Sequence, residues 1–201
     1  LTFFSYCLGG NPSLIWTESY ASTDGMQISK TSDGGYIGTV GTTLTKFTED
    51  GTIVWSSNFS SLNNILSPKQ TPDGGYIFAS GHGYYDCSAI KVDSQGHEVW
   101  ETNLKPGAAH CGLEDVIVKD DGNYLFLAQS NDCHCGGGWH AKLVELNHSG
   151  NIVNQIELPD TGGDEIGYQL TQIDNGDYVM VGYVGETQEA NSNGYFANYN
   201  G

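Results

Sequence analysis

The stretch TSDGGYIGTVG, residues 31–41, decides the fold, because the chain contains three more copies of it. In each copy a turn rich in aspartate, asparagine and glycine precedes a tyrosine, and the tyrosine begins a run of β-forming residues. The other copies are TPDGGYIFASG (71–81), KDDGNYLFLAQ (119–129) and IDNGDYVMVGY (173–183). Their tyrosines, Tyr36, Tyr76, Tyr124 and Tyr178, are 40, 48 and 54 residues apart, and a period of this length indicates a repeat architecture.

A second phrase follows the first three copies, at residues 44–59, 89–104 and 143–158. It places a polar turn ending in glycine between two alternating segments, as in the two strands of a hairpin. The turn glycines are Gly51, Gly96 and Gly150, and four residues later stand Trp55, Trp100 and Asn154. Each unit therefore predicts four antiparallel strands, and we expect an all-β fold, a β-propeller of four four-stranded blades. A solenoid and a β-sandwich are the alternatives.

The blades are predicted at about residues 24–60, 63–105, 112–159 and 164–201, within a propeller domain of residues 11–201. The fourth unit shows three strand patterns, whereas NPSLIWTESY (11–20) has the pattern of an outermost strand, with Trp16 in the tryptophan position. An open sheet edge exposes unpaired N–H and C=O groups. We therefore expect this strand to complete the last blade, in cis within one chain or in trans in a neighbouring copy.

Residues 1–10 precede the repeat and form an apolar arm. Its large side chains are Leu1, Phe3, Phe4, Tyr6 and Leu8. Three interpretations stay open for this arm. It is the remainder of a signal segment, or a plug on its own propeller, or an arm that docks on another subunit and, together with Trp16, drives assembly.

The pattern DGGY…KxDxxGxxxW, which runs from Asp73 to Trp100 in the second unit, resembles the repeat of secreted bacterial β-propellers of the quinoprotein-like superfamily. The resemblance implies a scaffold fold in an exported protein, extracellular or at the cell surface. It does not imply quinone chemistry, because His134 separates Cys133 from Cys135 and the vicinal cysteine pair of such dehydrogenases is missing.

The charge of the chain excludes two classes of partner. The chain has 7 basic and 24 acidic side chains, a formal net charge of −17, which repels phosphate backbones and anionic lipid headgroups. We therefore expect no nucleic-acid partner, and no apolar run of roughly 18 residues predicts membrane insertion. The acidity suits either solubility outside a cell or binding of a divalent cation. No cofactor is predicted, and calcium is the one cation left open.

The two ends of the predicted blades differ in their loops. The turns at Asp33-Gly34 and its counterparts fall on one face together with the Gly51 turn and its counterparts, because antiparallel strands alternate in direction. The unusual loops all fall on the other face, at residues 81–87, 105–112, 130–140, 159–164 and 185–193. Elaborated loops on a rigid scaffold are where binding usually occurs, so we expect any ligand or partner there.

Four cysteines lie in or beside these loops, namely Cys87, Cys111, Cys133 and Cys135, and Cys7 is left over. In an exported protein they predict two disulfides that join adjacent blades. A zinc site formed with His82, His110, His134 and His140 is one alternative, although Cys-x-Cys is not the usual ligand spacing. A Cys–His nucleophilic centre is the other, although nothing marks one thiol as activated.

The candidate ligand-binding residues are those that do not recur with the repeat. They are Tyr84, Tyr85, Trp139, His110 and His134. Trp55 and Trp100 do recur, and we interpret them as packing residues between blades. Four carboxylates are predicted to start innermost strands near the channel mouth, where they either are solvated or act on protons or cations. They are Glu114, Asp115, Asp164 and Glu165.

These patterns favour a non-enzymatic extracellular module, structural or adhesive, that forms a filament or oligomer through its N-terminal arm. Its partners would be a second copy, another surface protein or a glycan. A propeller that binds a carbohydrate or cation through the long-loop face is the alternative. A hydrolase or lyase with its site at the channel mouth comes third, because no complete catalytic constellation is visible.

Overall fold

The computed structural model describes residues 17, 26–83, 87–104, 110–131, 138–158, 163–185 and 193–199. These residues form sixteen β-strands in four antiparallel sheets, and none of them lies in a helix, so none forms a helix that could span a membrane. The predicted all-β fold, a propeller with four blades, is confirmed.

Each sheet is one blade, with its strands in chain order from the axis outwards. The first blade contains β1 (Met26–Lys30), β2 (Tyr36–Val40), β3 (Thr43–Phe47) and β4 (Ile53–Asn58). The second contains β5 (Leu66–Gln70), β6 (Tyr76–Ser80), β8 (Ser88–Val92) and β9 (Glu98–Asn103). The third contains β10 (His110–Val118), β11 (Tyr124–Asn131), β12 (His140–Leu146) and β13 (Ile152–Glu157). The fourth contains β14 (Asp164–Gln172), β15 (Tyr178–Gly185) and β16 (Asn193–Tyr199).

The fourth blade has three strands among the described residues, and there β16 pairs only with β15. The predicted outermost strand of this blade, with Trp16, lies outside the described residues, as does the apolar arm of residues 1–10. Completion of the blade in cis or in trans therefore stays a prediction.

The core lies between neighbouring blades, in three apolar layers. Alternation along the strands gives each sheet two apolar faces, because successive side chains point to opposite sides. Phe78 is in the layer between the first two blades, Phe126 in the next layer, and Leu127, adjacent to Phe126, in the third. Phe78 and Phe126 are fully buried and Leu127 is 1% exposed.

Trp55 and Trp100 pack between blades, which confirms their predicted role. The indole Nε1 of Trp55 donates to the carbonyl oxygen of Ser94 in the next blade at 3.0 Å, and Trp100 repeats this bond to His148 at 3.2 Å. The ring of each tryptophan covers a turn glycine, Gly96 or Gly150, so closely that a Cβ there would overlap it.

The strands of the third and fourth blades extend further towards the long-loop face than the repeat predicts. There β10 and β14 have nine residues and β11 and β15 have eight, whereas the corresponding strands of the first two blades have five. The predicted loops 105–112, 130–140, 159–164 and 185–193 are therefore wrong at one or both ends, where strand residues lie.

The fifth predicted loop, 81–87, is also partly strand. Its residues His82–Gly83 form β7, which adds to β10 as a fifth strand of the third blade's sheet. The main-chain groups of Cys111 and Gly112 face this short strand. Polar and glycine-rich residues can extend a strand wherever a neighbouring strand supplies hydrogen-bonding partners, and such pairing leaves no alternating pattern in the sequence.

Candidate functional site

The third and fourth blades are joined at their long-loop ends by main-chain hydrogen bonds. The amide nitrogen of Glu165 donates to the carbonyl oxygen of Trp139 at 2.6 Å. The amide nitrogen of Trp139 donates to Oδ1 of Asp164 at 2.7 Å. The chain passes so close at Gly138 that a Cβ there would lie 2.6 Å from the same carboxylate oxygen. The segment that carries Trp139 is thus fixed to the start of β14 through its backbone.

His140 and Glu165 form a polar pair beside this junction. His140 Nδ1 and Glu165 Oε2 share a hydrogen bond of 2.8 Å. Glu165 is 2% exposed, whereas 39% of the His140 side chain is exposed. Because the buried carboxylate holds Nδ1, it orients the ring and leaves Nε2 as the nitrogen for other contacts. An imidazole oriented in this way can bind a hydroxyl group or accept a proton.

Aromatic rings surround the junction. The rings of His110 and Trp139 lie with centroids 6.1 Å apart, and the rings of Tyr168 and Tyr183 are stacked at 6.2 Å. Tyr168 is 56% exposed. Burial raises the pKa of the Tyr183 hydroxyl, and the charge of the nearby Asp164 raises it further. We use the name mouth site for the set His110, Trp139, His140, Asp164, Glu165, Tyr168 and Tyr183.

The mouth site adjoins a polar cavity of about 360 Å³ on the propeller axis. Innermost strands of all four blades line it, and Tyr168 belongs to both the cavity and the mouth site. The lining residues that carry polar side chains include Gln27, Ser67, Lys69, Glu114, Asp115 and Gln169.

Hydrogen bonds link successive blades around this cavity. Gln27 Oε1 accepts from the amide of Ser67, Ser67 Oγ accepts from the amide of Val116, and Asp115 Oδ2 accepts from the amide of Leu170. Each bond runs from a side chain of one innermost strand to the backbone of the next. The three bonds therefore fix the four innermost strands relative to one another.

Of the four carboxylates that the sequence predicts near the channel mouth, three are not solvated, so that interpretation is wrong for them. Asp115, Asp164 and Glu165 are 7%, 8% and 2% exposed, and each is hydrogen-bonded. Asp115 is not at the start of its strand but at a bulge within β10, as is Glu114. Buried carboxylates are rare unless they are bonded, so their burial here reflects a built polar arrangement.

A buried glutamine lies beside the cavity with one oxygen unsatisfied. Gln129 is 4% exposed and its Nε2 donates to Glu114 Oε1 at 2.7 Å, but its Oε1 has no hydrogen-bond partner in the described structure. The same is true of Asn131 Oδ1, two residues along β11 and hence on the same face of the strand. Most buried polar atoms have partners, so two adjacent unsatisfied acceptors call for a donor.

The structure brings together two of the predicted ligand-binding residues, His110 and Trp139. The predicted candidates Tyr84, Tyr85 and His134 lie outside the described residues. The sequence prediction missed Tyr183 and Gln129, although a signal for both exists. They stand at the last position of the repeated phrase, where the first two copies have Gly41 and Gly81.

Cys87 and Cys111 form a disulfide between the second and third blades, with their Cα atoms 6.0 Å apart. Cys133 and Cys135, the other two predicted partners, lie outside the described residues, as does Cys7. No three His, Cys, Asp or Glu side chains of the described part of the chain gather closely enough to hold a metal ion.

No protein-family model matches the sequence, and no curated protein matches it. Solved structures share its fold, and three of them follow. Virginiamycin B lyase from Staphylococcus aureus matches with a TM-score of 0.64 at 13% identity, over 97% of this chain and 62% of the lyase. An α-L-arabinanase from Penicillium chrysogenum, complexed with arabinobiose, matches with a TM-score of 0.60 at 11% identity, over 86% of this chain and 61% of the other.

A protein of unknown function from Bacteroides caccae matches with a TM-score of 0.58 at 16% identity, over 94% of this chain and 65% of the other. The chain thus spans less than two thirds of the length of these three proteins. Identities this low show the fold alone, and the lyase and the arabinanase are β-propellers. By its sheets and by these similarities, the chain is a β-propeller.

Proposed function

We propose that this chain is a carbohydrate-binding β-propeller whose ligand lies at the mouth site. The observation that carries the proposal is the grouping of Trp139 and His110 with the oriented His140–Glu165 pair, where two blades meet. The face is the one on which the sequence predicts binding.

The chemistry of the mouth site suits a sugar. Aromatic side chains offer flat apolar faces on which a sugar ring can stack, and carboxylate and imidazole groups hydrogen-bond to its hydroxyls. Trp139 is held through its main chain and is half-buried, so a part of the residue remains exposed to a ligand. The arabinanase with bound arabinobiose supports the proposal only in that a propeller of similar fold accepts a sugar.

A glycan array followed by calorimetry with the best oligosaccharide tests the proposal. We expect the wild-type protein to bind, and Trp139→Ala to weaken binding about tenfold, because one stacking partner is lost while the backbone bonds of the junction stay. His97→Ala is the matched control, since the His97 side chain is exposed in a turn on the opposite face and should leave binding unchanged.

Binding to no glycan, or binding unaffected by Trp139→Ala, would contradict the proposal. The same oligosaccharide should be recovered and checked for new reducing ends. Their appearance would assign the site to a hydrolase, with the His140–Glu165 pair as the group that moves the proton.

Assembly into a filament or oligomer is the second candidate function. Among the described residues β16 pairs only with β15, so assembly requires that the other edge of β16 receive a strand of another copy rather than one of its own chain. A strand from residues 11–20 of the same chain or of another copy would pair with its other side.

A further inference from the structure

We propose that the propeller axis carries a second binding site, for a small organic anion that consists of a carboxylate on an apolar body. The site lies at the end of the blades opposite the long-loop face, which we call the short-turn end. It is therefore separate from the mouth site, and the inference goes beyond the proposed function and does not depend on it.

The cavity that forms this site has a volume of about 580 Å³. The last residues of the four innermost strands line it, namely Lys30, Gln70, Val118 and Gln172. It shares four residues with the polar cavity beside the mouth site, namely Ser29, Lys69, Asp115 and Gln169. The two cavities are thus adjoining parts of one axial channel, and the volume of the second suits a small molecule.

Two lysines give this cavity a positive charge. Lys30 and Lys69 line it, and Asp115 is the single carboxylate among its described lining residues. Asp115 is 7% exposed, and its oxygens accept from the amides of Val116 and Leu170. Lys69 Nζ lies 3.6 Å from Asp115 Oδ1, too far for a hydrogen bond, and 37% of its side chain is exposed. The ammonium groups therefore keep donors for a ligand.

The other described lysines are used elsewhere. Three pair with carboxylates at the short turns and a fourth is buried in β12, namely Lys46, Lys91, Lys119 and Lys142. In a chain with 7 basic and 24 acidic side chains, two lysines on one cavity are a local concentration of positive charge. Because the net charge of −17 repels anions at long range, we expect recognition only through direct contacts inside the cavity.

A neutral donor lies beside the lysines. Gln70 Oε1 accepts from the amide of Ser32 at 2.7 Å, so its Nε2 is the atom left to donate into the cavity. The hydroxyl-bearing Ser29 also lines the cavity. A carboxylate accepts several hydrogen bonds at once, and bonds from ammonium groups are the stronger kind, so this donor set suits a carboxylate.

The wall opposite Lys30 is apolar. The innermost strands follow one another around the axis in the order β1, β5, β10 and β14, so β10 faces β1 across the channel. Ile117 and Val118 of β10 are half-buried and line the cavity, next to the buried Val116 and Leu170. Inorganic phosphate would leave this wall in contact with water, whereas a hydrocarbon or aromatic body would cover it.

Calorimetry of the whole chain with trans-cinnamate, its uncharged amide cinnamamide, and inorganic phosphate tests the proposal. We expect cinnamate to bind at least about tenfold more tightly than cinnamamide, because a hydrogen bond to a charged group is stronger than one between neutral groups. It should exceed phosphate by at least about tenfold as well, because phosphate buries no apolar surface. The preference for cinnamate over its amide should shrink as salt is added.

Two variants place the anion at the lysines. Lys30→Met removes one ammonium from the exposed end of β1, and it should weaken cinnamate binding about fivefold and leave cinnamamide binding unchanged. Lys69→Met should act in the same direction. Gln95→Glu is the matched control, because it changes the net charge by the same single unit at an exposed turn position.

Each contrary outcome overturns the inference. Equal binding of cinnamate and cinnamamide, or binding of neither, shows that the lysines do not form an anion site. Phosphate binding as tight as that of cinnamate shows that the apolar wall takes no part. If Gln95→Glu weakens cinnamate binding as much as Lys30→Met does, the effect belongs to the charge of the whole protein.

Discussion

In this propeller, single charged side chains bond to the short turns and stabilise them. The ammonium of Lys46 is buried and lies 2.9 Å from Asp33 Oδ2 and 2.8 Å from the carbonyl oxygen of Phe47. No Cβ fits at Gly35, because it would overlap the backbone carbonyl oxygen of Phe47 and lie 2.6 Å from Lys46 Nζ. In the third blade the two charges are on opposite sides of the pair. Its lysine, Lys119, lies in the turn and pairs with Glu145 on β12 at 2.8 Å, whereas in the first blade the lysine is on the strand and the carboxylate is in the turn.

The pH dependence of stability follows from this turn. Hydrogen bonds from Thr31, from Lys46 and from the amide of Gly35 lower the pKa of Asp33 from its ordinary 3.8 to about 2. A carboxylate whose pKa is lower in the folded state stabilises the fold above its unfolded pKa, and this contribution is lost as the pH falls through the folded value. The melting temperature of wild type should therefore approach that of Asp33→Asn as the pH drops from about 4 to about 2.

Calorimetric scans of both proteins across that range measure the effect. Lys46→Met should show the same convergence, because it removes the partner of the same carboxylate. A gap between wild type and Asp33→Asn that stays constant over the range would refute the assignment.

At the scale of elements, the outermost strands of the first two blades are each attached to the turn of the next blade by one tryptophan. Two glycines allow this attachment to be measured, because Gly150 and Gly122 have the same left-handed backbone, with φ of 82° and 84°. A Cβ at Gly150 would lie 2.8 Å from the Trp100 ring, whereas a Cβ at Gly122 would meet nothing within 4 Å.

We predict that Gly122→Ala lowers the free energy of unfolding by about 1 kcal/mol, the cost of the left-handed conformation. Gly150→Ala should cost about 2 kcal/mol more, because the Trp100 ring must move. Denaturant unfolding measures both variants. In a Trp100→Ala background most of the extra cost of Gly150→Ala should disappear, since only the contact with Thr102 Oγ1 at 2.9 Å then remains, and persistence of the full cost would show that the ring is not its cause.

The sequence predicts the elements well where one residue type has one structural task. The tyrosine and tryptophan positions predict the strand order and the two faces, because the tyrosine recurs in all four copies and the tryptophan in the outermost strands of the first two blades. It predicts strand ends poorly, since β10 and β14 continue through His110 and Asp164 only because neighbouring strands supply partners. His140 and Glu165 are 25 residues apart in the sequence and lie in different blades, so a local sequence pattern does not predict their contact.

At the scale of the whole molecule, closure of the fourth blade decides the state of assembly. If residues 11–20 pair with β16 in trans, subunits join head to tail, because each copy both donates and accepts a strand. Light scattering after size exclusion should then give a mass above that of one chain, 21.6 kDa, and a shift to the monomer mass when residues 1–20, the arm and the exchanged strand, are removed. A purely monomeric full-length protein would exclude assembly through the arm.

The Cys87–Cys111 bond determines how the molecule responds to a pulling force. A chain stretched from its two ends transmits tension through this covalent link, so the 24 residues of sequence separation it spans are shielded from extension. Strands β8 and β9 lie within that span. Reduction of the bond would release roughly 80 Å of additional contour length, so the extensibility of the protein depends on the redox state of its surroundings.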